Sequence, residues 1–181
     1  MSRLGYSLEP MIATHKNRVI DIFNYYITNG FEAYRETPVA YEYFDNLLER
    51  LKGYPTLVAR TKSGDIVGFA YLRPYSSSDT FKRTAQIAYF ILPEHRRKGL
   101  GRSILEELIR QAQKLGADNL LAHISSLNEE SLGFHLKNGF QECGRFREIG
   151  KKFGKSFDVI WMQRRFDEVK MKHFGLCQAK A

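Results

Sequence analysis

Tyr89-Phe90-Ile91-Leu92-Pro93-Glu94-His95-Arg96-Arg97-Lys98-Gly99-Leu100-Gly101-Arg102 runs from an apolar strand, through a basic turn, into a helix. A helix N-terminus exposes unpaired backbone N–H groups and the positive end of the helix dipole. Gly99 and Gly101 leave room for a ligand to approach the backbone. Arg96, Arg97, Lys98 and Arg102 add positive charge. Together these features suit a phosphate. The stretch lacks the GxGxxG dinucleotide fingerprint, and no GKS or GKT of a P-loop follows. On spacing alone two readings stand: an anion site, or an ordinary basic helix start.

Outward from this stretch the pattern alternates between strands and helices. Upstream, Val19, Ile22, Phe23 and Tyr26 recur at helical spacing over 14–29, with Gly30 at the end. Thr37-Pro38 reads as an N-cap with proline at the first helical position, opening a helix through Leu47, Leu48 and Leu51 to Gly53. Thr56–Arg60 and Ile66–Leu72 read as strands around the turn Lys62-Ser63-Gly64-Asp65. Residues 73–82 read as a loop and Thr84–Leu92 as a strand. Downstream, Gly101–Leu115 is helical, Asn119–Ile124 is a strand, and Asn128–Asn138 is a helix capped by Asn128 and ended by Gly139. Phe140–Ile149 and Ser156–Arg165 complete the strands. The order implies an α/β or α+β layer fold with a mixed sheet. Residues 1–166 read as one domain and 167–181 as a C-terminal tail.

Composition sets the outer limits. The chain has 181 residues, 43% hydrophobic and 27% charged. That supports one core and a soluble protein. No run approaches the roughly 20 apolar residues of a membrane helix, and residues 1–10 lack a signal-peptide core. A cytoplasmic location is expected, with no membrane partner. The net charge is +8, from 28 basic and 20 acidic residues. Outside 96–102 and 151–155 the charge is scattered, so a polyanionic cofactor explains it as well as nucleic acid does. Cys143 and Cys177 have no metal-ligand or CxxC spacing, and the expectation is one buried thiol and one in the tail. His15, His95, His123 and His173 show no metal spacing either, so no metal is expected.

Three blocks in order resemble a known family. Arg96-x-x-Gly99-x-Gly101 resembles the coenzyme-A loop of the GNAT acetyltransferases. Asn128-x-x-Ser131-x-x-Phe134-His135-x-x-x-Gly139-Phe140 resembles their later motif, in a version typical of phosphinothricin acetyltransferases. Gly144–Asp158, followed by Gln163, resembles that subfamily's G-x-x-R-x-x-G-x-K-x-G-x-x-x-D stretch. Gly30–Pro38 loosely matches its substrate-side loop. The resemblance covers roughly residues 6–166. It implies the GNAT fold, a splayed mixed sheet with helices on both faces and acetyl-CoA between two parting strands. Relatives being commonly dimers, a homodimer is expected.

Residue roles follow from the resemblance. Backbone groups of Tyr89, Phe90 and Ile91 would meet the pantetheine arm as an added strand does, with an N–H near Ile91 facing the oxyanion. Arg96, Arg97, Lys98, Gly99, Leu100, Gly101 and Arg102 would cradle the pyrophosphate. Asn128 is equally a helix cap and a neighbour of the cofactor, and Ser131 joins it. His135 stands four residues before Gly139, where many relatives carry Tyr. It is a candidate general acid for the leaving thiolate; the competing reading is a packed, partly buried histidine. Gln86 departs from the family, which often carries Glu there. A neutral amide cannot be a base but can orient water or bond an amine. Glu32, Glu36 and Glu94 are substitutes without a distinguishing pattern. Phe31, Tyr34, Phe81 and Gln86 flank the expected acceptor pocket.

Three functions compete. The first is N-acetylation of a small, amino-acid-like amine such as phosphinothricin or methionine sulfoximine. The second is acetylation of protein N-termini or lysines, which the third block disfavours. The third is a non-catalytic coenzyme-A sensor or a basic nucleic-acid binder.

Overall fold

A computed structural model describes residues 5–166. The 167–181 tail reading and Cys177 lie outside the described residues. Seven strands form one sheet in the order β1-β2-β3-β4-β5-β7-β6. They are β1 (Tyr6–Pro10), β2 (Thr56–Thr61), β3 (Ile66–Pro74), β4 (Thr84–Ile91), β5 (Asn119–Ser125), β6 (Gln141–Lys152) and β7 (Lys155–Arg165). Four helices join them: α1 (Lys16–Asn29), α2 (Tyr43–Arg50), α3 (Leu100–Lys114) and α4 (Glu129–Lys137).

The helices sort onto two faces. Val19, Ile20, Ile22 and Tyr26 of α1 and Phe44 of α2 pack on Val58, Phe69 and Phe90. Leu100, Ile104, Leu105 and Leu108 of α3 pack on Leu57, Val67, Ala85, Ile87, Leu120 and Ile160. Alternate β4 residues therefore serve opposite layers, as the period of two in a strand demands.

β4 and β5 are the parallel pair, and their ladder is short: Thr84↔Asn119, Ala85↔Leu120 and Gln86↔Leu121. Beyond Gln86 the two strands part, while β5 continues antiparallel to β7 as far as Ser125↔Val159. Polar side chains pin the closed end. Asn119 donates to Thr84 Oγ1 at 3.1 Å, and Gln163 donates to Asn119 Oδ1 at 3.0 Å.

Three features differ from the sequence reading. β1 was not anticipated; Ser7, Glu9 and Pro10 make it a weak strand signal, and pairing with β2 decides it. The helix expected from Pro38 starts at Tyr43. Asn24 holds both backbone groups of Val39, at 2.8 and 2.9 Å, so a tertiary contact keeps this segment extended. Cys143 is exposed rather than buried, because it lies on the edge strand β6.

Candidate active site

The gap between β4 and β5 opens onto a cleft of about 680 Å³, walled by β4, the 96–102 turn and the start of α4. The β4 edge facing it has free backbone groups, and the ladder identifies them. Leu92 N–H bonds Val67 O at 2.9 Å, so Phe90 and Phe69 form the hydrogen-bonded pair. Tyr89 and Ile91 then turn their backbone groups away from β3, into the gap. Phe90 also lines the cleft, but its N–H and C=O belong to the β3 ladder and its side chain is core.

At the far end of the cleft, Gly99 has φ 83 and caps α3. An L residue is disfavoured at that angle. A Cβ on Gly101 would stand 3.3 Å from the Phe134 ring, so the missing side chain keeps the helix start close to α4. Arg97 and Arg102 line the cleft. Lys98 is exposed and outside its wall, and Leu100 is a core residue at 1% exposure. The open strand edge, the bare helix N-terminus and the two cations fit a ligand with an extended amide arm and a pyrophosphate.

Arg96 turns inward instead of toward that anion position. Its guanidinium donates to the Ile91 carbonyl at 3.2 Å, the Tyr26 hydroxyl at 2.7 Å, Glu32 at 3.1 Å and Glu130 at 2.8 Å. Tyr26 also donates to the Ile91 carbonyl. Burial opposes the Arg96 charge, but the bonds to Tyr26, Glu130 and Glu32 outweigh it and raise its pKa. Burial raises the Tyr26 hydroxyl to about 12, with the Arg96 bond working against it. Arg96 thus ties α1, β4 and α4 together at the mouth of the gap. Ile91 keeps its N–H toward the cleft while its carbonyl is taken.

His135 is 3% exposed and does not line the cleft. Its Nδ1 lies 2.7 Å from the Ser131 carbonyl, which only accepts, so Nδ1 carries the proton. Nε2 then accepts from the Tyr89 hydroxyl at 2.7 Å. Desolvation lowers the His135 pKa to about 4, against the opposing Ser131 bond. The imidazole is neutral at pH 7, and Tyr89 stands between it and the cleft. Asn128 accepts from Ser131 N–H at 3.1 Å, so it caps α4 while lining the cleft.

The other face of the sheet carries a second cluster. Arg73 Nε and NH2 donate to Gln86 Oε1 at 2.9 and 2.6 Å. Arg73 NH2 also reaches His123 Nε2 at 2.9 Å, which makes that nitrogen the acceptor. Burial lowers His123 to about 4, and the Arg73 charge adds to the effect. His123 packs on Tyr34 and Trp161, with ring centroids at 5.4 and 5.3 Å. Tyr34 stacks on Phe157, which meets Phe31 edge-on. A Cβ on Gly150 would overlap the Phe157 ring, so glycine there lets the ring lie flat. Phe81 packs against Tyr75 in the 75–83 loop. Gln86 is 7% exposed and its oxygen is committed to Arg73.

The sequence reading missed Arg73 and His123. A signal existed in the alternation of β5: Leu120, Ala122 and Ile124 face α3, which leaves Leu121 and His123 on the opposite side. Among the described residues no cluster of three His, Cys, Asp or Glu side chains is placed to hold a metal. No described helix is long and apolar enough to cross a membrane.

A splayed β4–β5 pair above a glycine-containing helix start defines a coenzyme-A-dependent acetyltransferase fold. The chain belongs to the acetyltransferase (GNAT) family, whose model matches residues 19–140. It is 31% identical over 153 residues to an L-methionine sulfoximine/L-methionine sulfone acetyltransferase of Pseudomonas aeruginosa, covering 82% of this chain and 88% of that one. It is 30% identical over 166 residues to the phosphinothricin N-acetyltransferase of Streptomyces viridochromogenes, covering 91% and 90%. The structure of a phosphinothricin acetyltransferase from Sinorhizobium meliloti, in complex with acetyl-CoA, superposes with a TM-score of 0.85 at 26% identity, covering 91% and 90%.

Proposed function

We propose that this chain transfers acetyl from acetyl-CoA to the primary amine of a small molecule that also bears a carboxylate. The observation that carries the acceptor class is Arg73. Among the described residues it has no carboxylate partner, and Gln86 and His123 hold it in place beside an aromatic wall. The amino-acid-like substrates in the relatives' names support the same class. Residues 1–166 act as one domain in this reading. The exposed Phe146 and Ile149 on the edge strand β6 support self-association as a homodimer. A cytoplasmic location accords with the free, exposed Cys143.

Acetyl-CoA supplies the activated acetyl group as a thioester. The backbone N–H groups of Tyr89 and Ile91 face the gap and are the donors available to a developing oxyanion. Tyr89 turns its hydroxyl from His135 Nε2 to the leaving sulfur and gives up its proton there, and the proton shed by the attacking amine restores the phenol through water in the cleft; burial raises the phenol's pKa well above 10 and keeps it protonated between turnovers. This replaces direct action by His135, whose ring nitrogens are both bonded. Gln86 and His123 present neutral polar groups on the acceptor side. Arg73 fixes the carboxylate, so the amine approaches in one orientation.

A thiol-release screen over amino acids, methionine sulfone, methionine sulfoximine, phosphinothricin, polyamines and peptides tests this reading. Amines with a neighbouring carboxylate should be the best acceptors. Arg73→Ala should lower their kcat/KM roughly 10- to 100-fold, the range of a hydrogen bond to a charged group. Amines lacking the carboxylate should be unaffected. Equal losses for both sets, or turnover of peptides alone, overturns it.

A further inference from the structure

Lys152 is 1% exposed, yet no carboxylate lies within ion-pair distance among the described residues. Its ammonium donates to three backbone carbonyls: Gly30 O at 2.6 Å, Ala33 O at 2.7 Å and Tyr26 O at 3.4 Å. Two of these belong to the C-terminal end of α1, where carbonyls lack helical partners and the dipole is negative. A buried cation is costly unless its hydrogen bonds are made, and here three are. Lys152 reaches this position from the tip of the β6–β7 hairpin. Lys152 pairs with Lys155 across a two-residue turn, with Phe153 at φ 51 and Gly154 at φ 76. Phe153 N–H also bonds Glu36 at 3.3 Å, and its ring meets Phe31.

The segment clasped in this way, residues 30–36, carries one residue for each half of the site. Glu32 bonds Arg96 at the mouth of the gap. Tyr34 packs on His123 and Phe157 in the acceptor wall. The described segment has neither helix nor strand to hold it. Lys152 joins a hairpin from the far end of the chain to this segment, through its backbone and independently of its side chains.

We propose that Lys152 is a positioning residue for the acceptor: its buried ammonium latches the hairpin tip onto residues 30–36 and so holds Tyr34 against His123. The proposal rests on the acceptor side assigned above. It predicts a split between the two substrates. Loosening the latch displaces the acceptor wall, whereas Arg96, losing only Glu32, keeps the Ile91 carbonyl, Glu130 and Tyr26, so the Gly99–Arg102 turn and the β4 edge stay in place.

The test uses the full chain and two variants, Lys152→Met and Lys152→Arg, the second retaining charge and donors. Lys152→Met should raise the acceptor KM about tenfold while changing the acetyl-CoA KM less than about twofold. Lys152→Arg should fall nearer the wild type, and Lys152→Gln, which also removes the charge, replaces the methionine variant with the same expected split if that variant does not fold. Trypsin cleavage of the native chain after Arg35 reads the latch without any acceptor. It should accelerate about tenfold in Lys152→Met, as local opening becomes easier. An unchanged acceptor KM in folded protein overturns the proposal, even with a lowered Tm, because the role is then merely structural. Wild-type protein that acetylates no small amine defeats the functional reading instead. Cleavage after Arg35 then decides the latch: faster in the variants supports it, unchanged overturns it.

Discussion

The two sides of the β4–β5 gap are built differently. The cofactor side comes largely from one continuous run, Tyr89 to Arg102, with the first turn of α4 added. Its groups are backbone N–H groups and a helix N-terminus, so few side-chain positions matter. The proposed acceptor side is assembled from Tyr34 of a loop, Arg73 of β3, Gln86 of β4, His123 of β5 and Trp161 of β7. Every functional group there is a side chain, held by others far away in the chain. Binding of a shared cofactor therefore survives sequence change that redirects the acceptor. Gln86 illustrates this: its oxygen anchors Arg73 without neutralising the guanidinium, as a carboxylate there would.

Each side contains one neutral histidine, His135 buried and His123 half-buried, and acid should reveal both. Folded His135 and His123 titrate near 4, below the ordinary 6.5. Between these values the unfolded chain binds more protons, so stability rises with pH across that window. The contribution is complete above pH 6.5 and lost as pH falls toward 4. For His135 it is on the order of 3 kcal/mol. Thermal melts from pH 7.5 to 4.5 should show this loss, and His135→Gln should flatten the slope. A parallel slope in the variant would place the acid sensitivity elsewhere.

The second prediction tests whether His135 and Tyr89 act together. Tyr89→Phe and His135→Gln should each lower kcat on the order of 10²-fold, the lower end for positioned acid catalysis. Acetyl-CoA affinity by calorimetry should stay close to wild type. The double variant should lose little more than either single one, because the two groups form one path. Additive losses would mean that they act apart.

The smallest effect belongs to Asn128, where cap and cofactor contact coincide. Asn128→Ala should cost about 1 kcal/mol of stability, the usual value of an N-cap. If chemical denaturation shows that loss while the acetyl-CoA KM is unchanged, Asn128 acts through α4 alone.

Most of the cofactor side was legible in sequence because its determinants are local. Strand, turn and helix start follow one another, and glycine at 99 and 101 marks where the backbone is approached. Arg96 was the exception. Its place in the run suggested a phosphate ligand, but Tyr26, Glu32 and Glu130 converge on it from other elements. His135 was found by its spacing from Gly139, while its burial behind Tyr89 was invisible. Arg73 and His123 carried no local pattern, since a single charged or aromatic residue in a strand reads as a solvated one.

The sequence by itself determined the order of most elements, the family and the cofactor turn. These depend on short-range periodicity, capping and the conformational freedom of glycine. Only the tertiary structure decided which face of the sheet each side chain serves, which carbonyls remain open at the gap, and where the charges of half-buried Arg96 and buried Lys152 find partners. Those outcomes depend on strand register and on contacts between distant residues, such as Lys152 with Gly30. A buried cation is tolerated only where such contacts close around it, and nothing in its immediate sequence announces them.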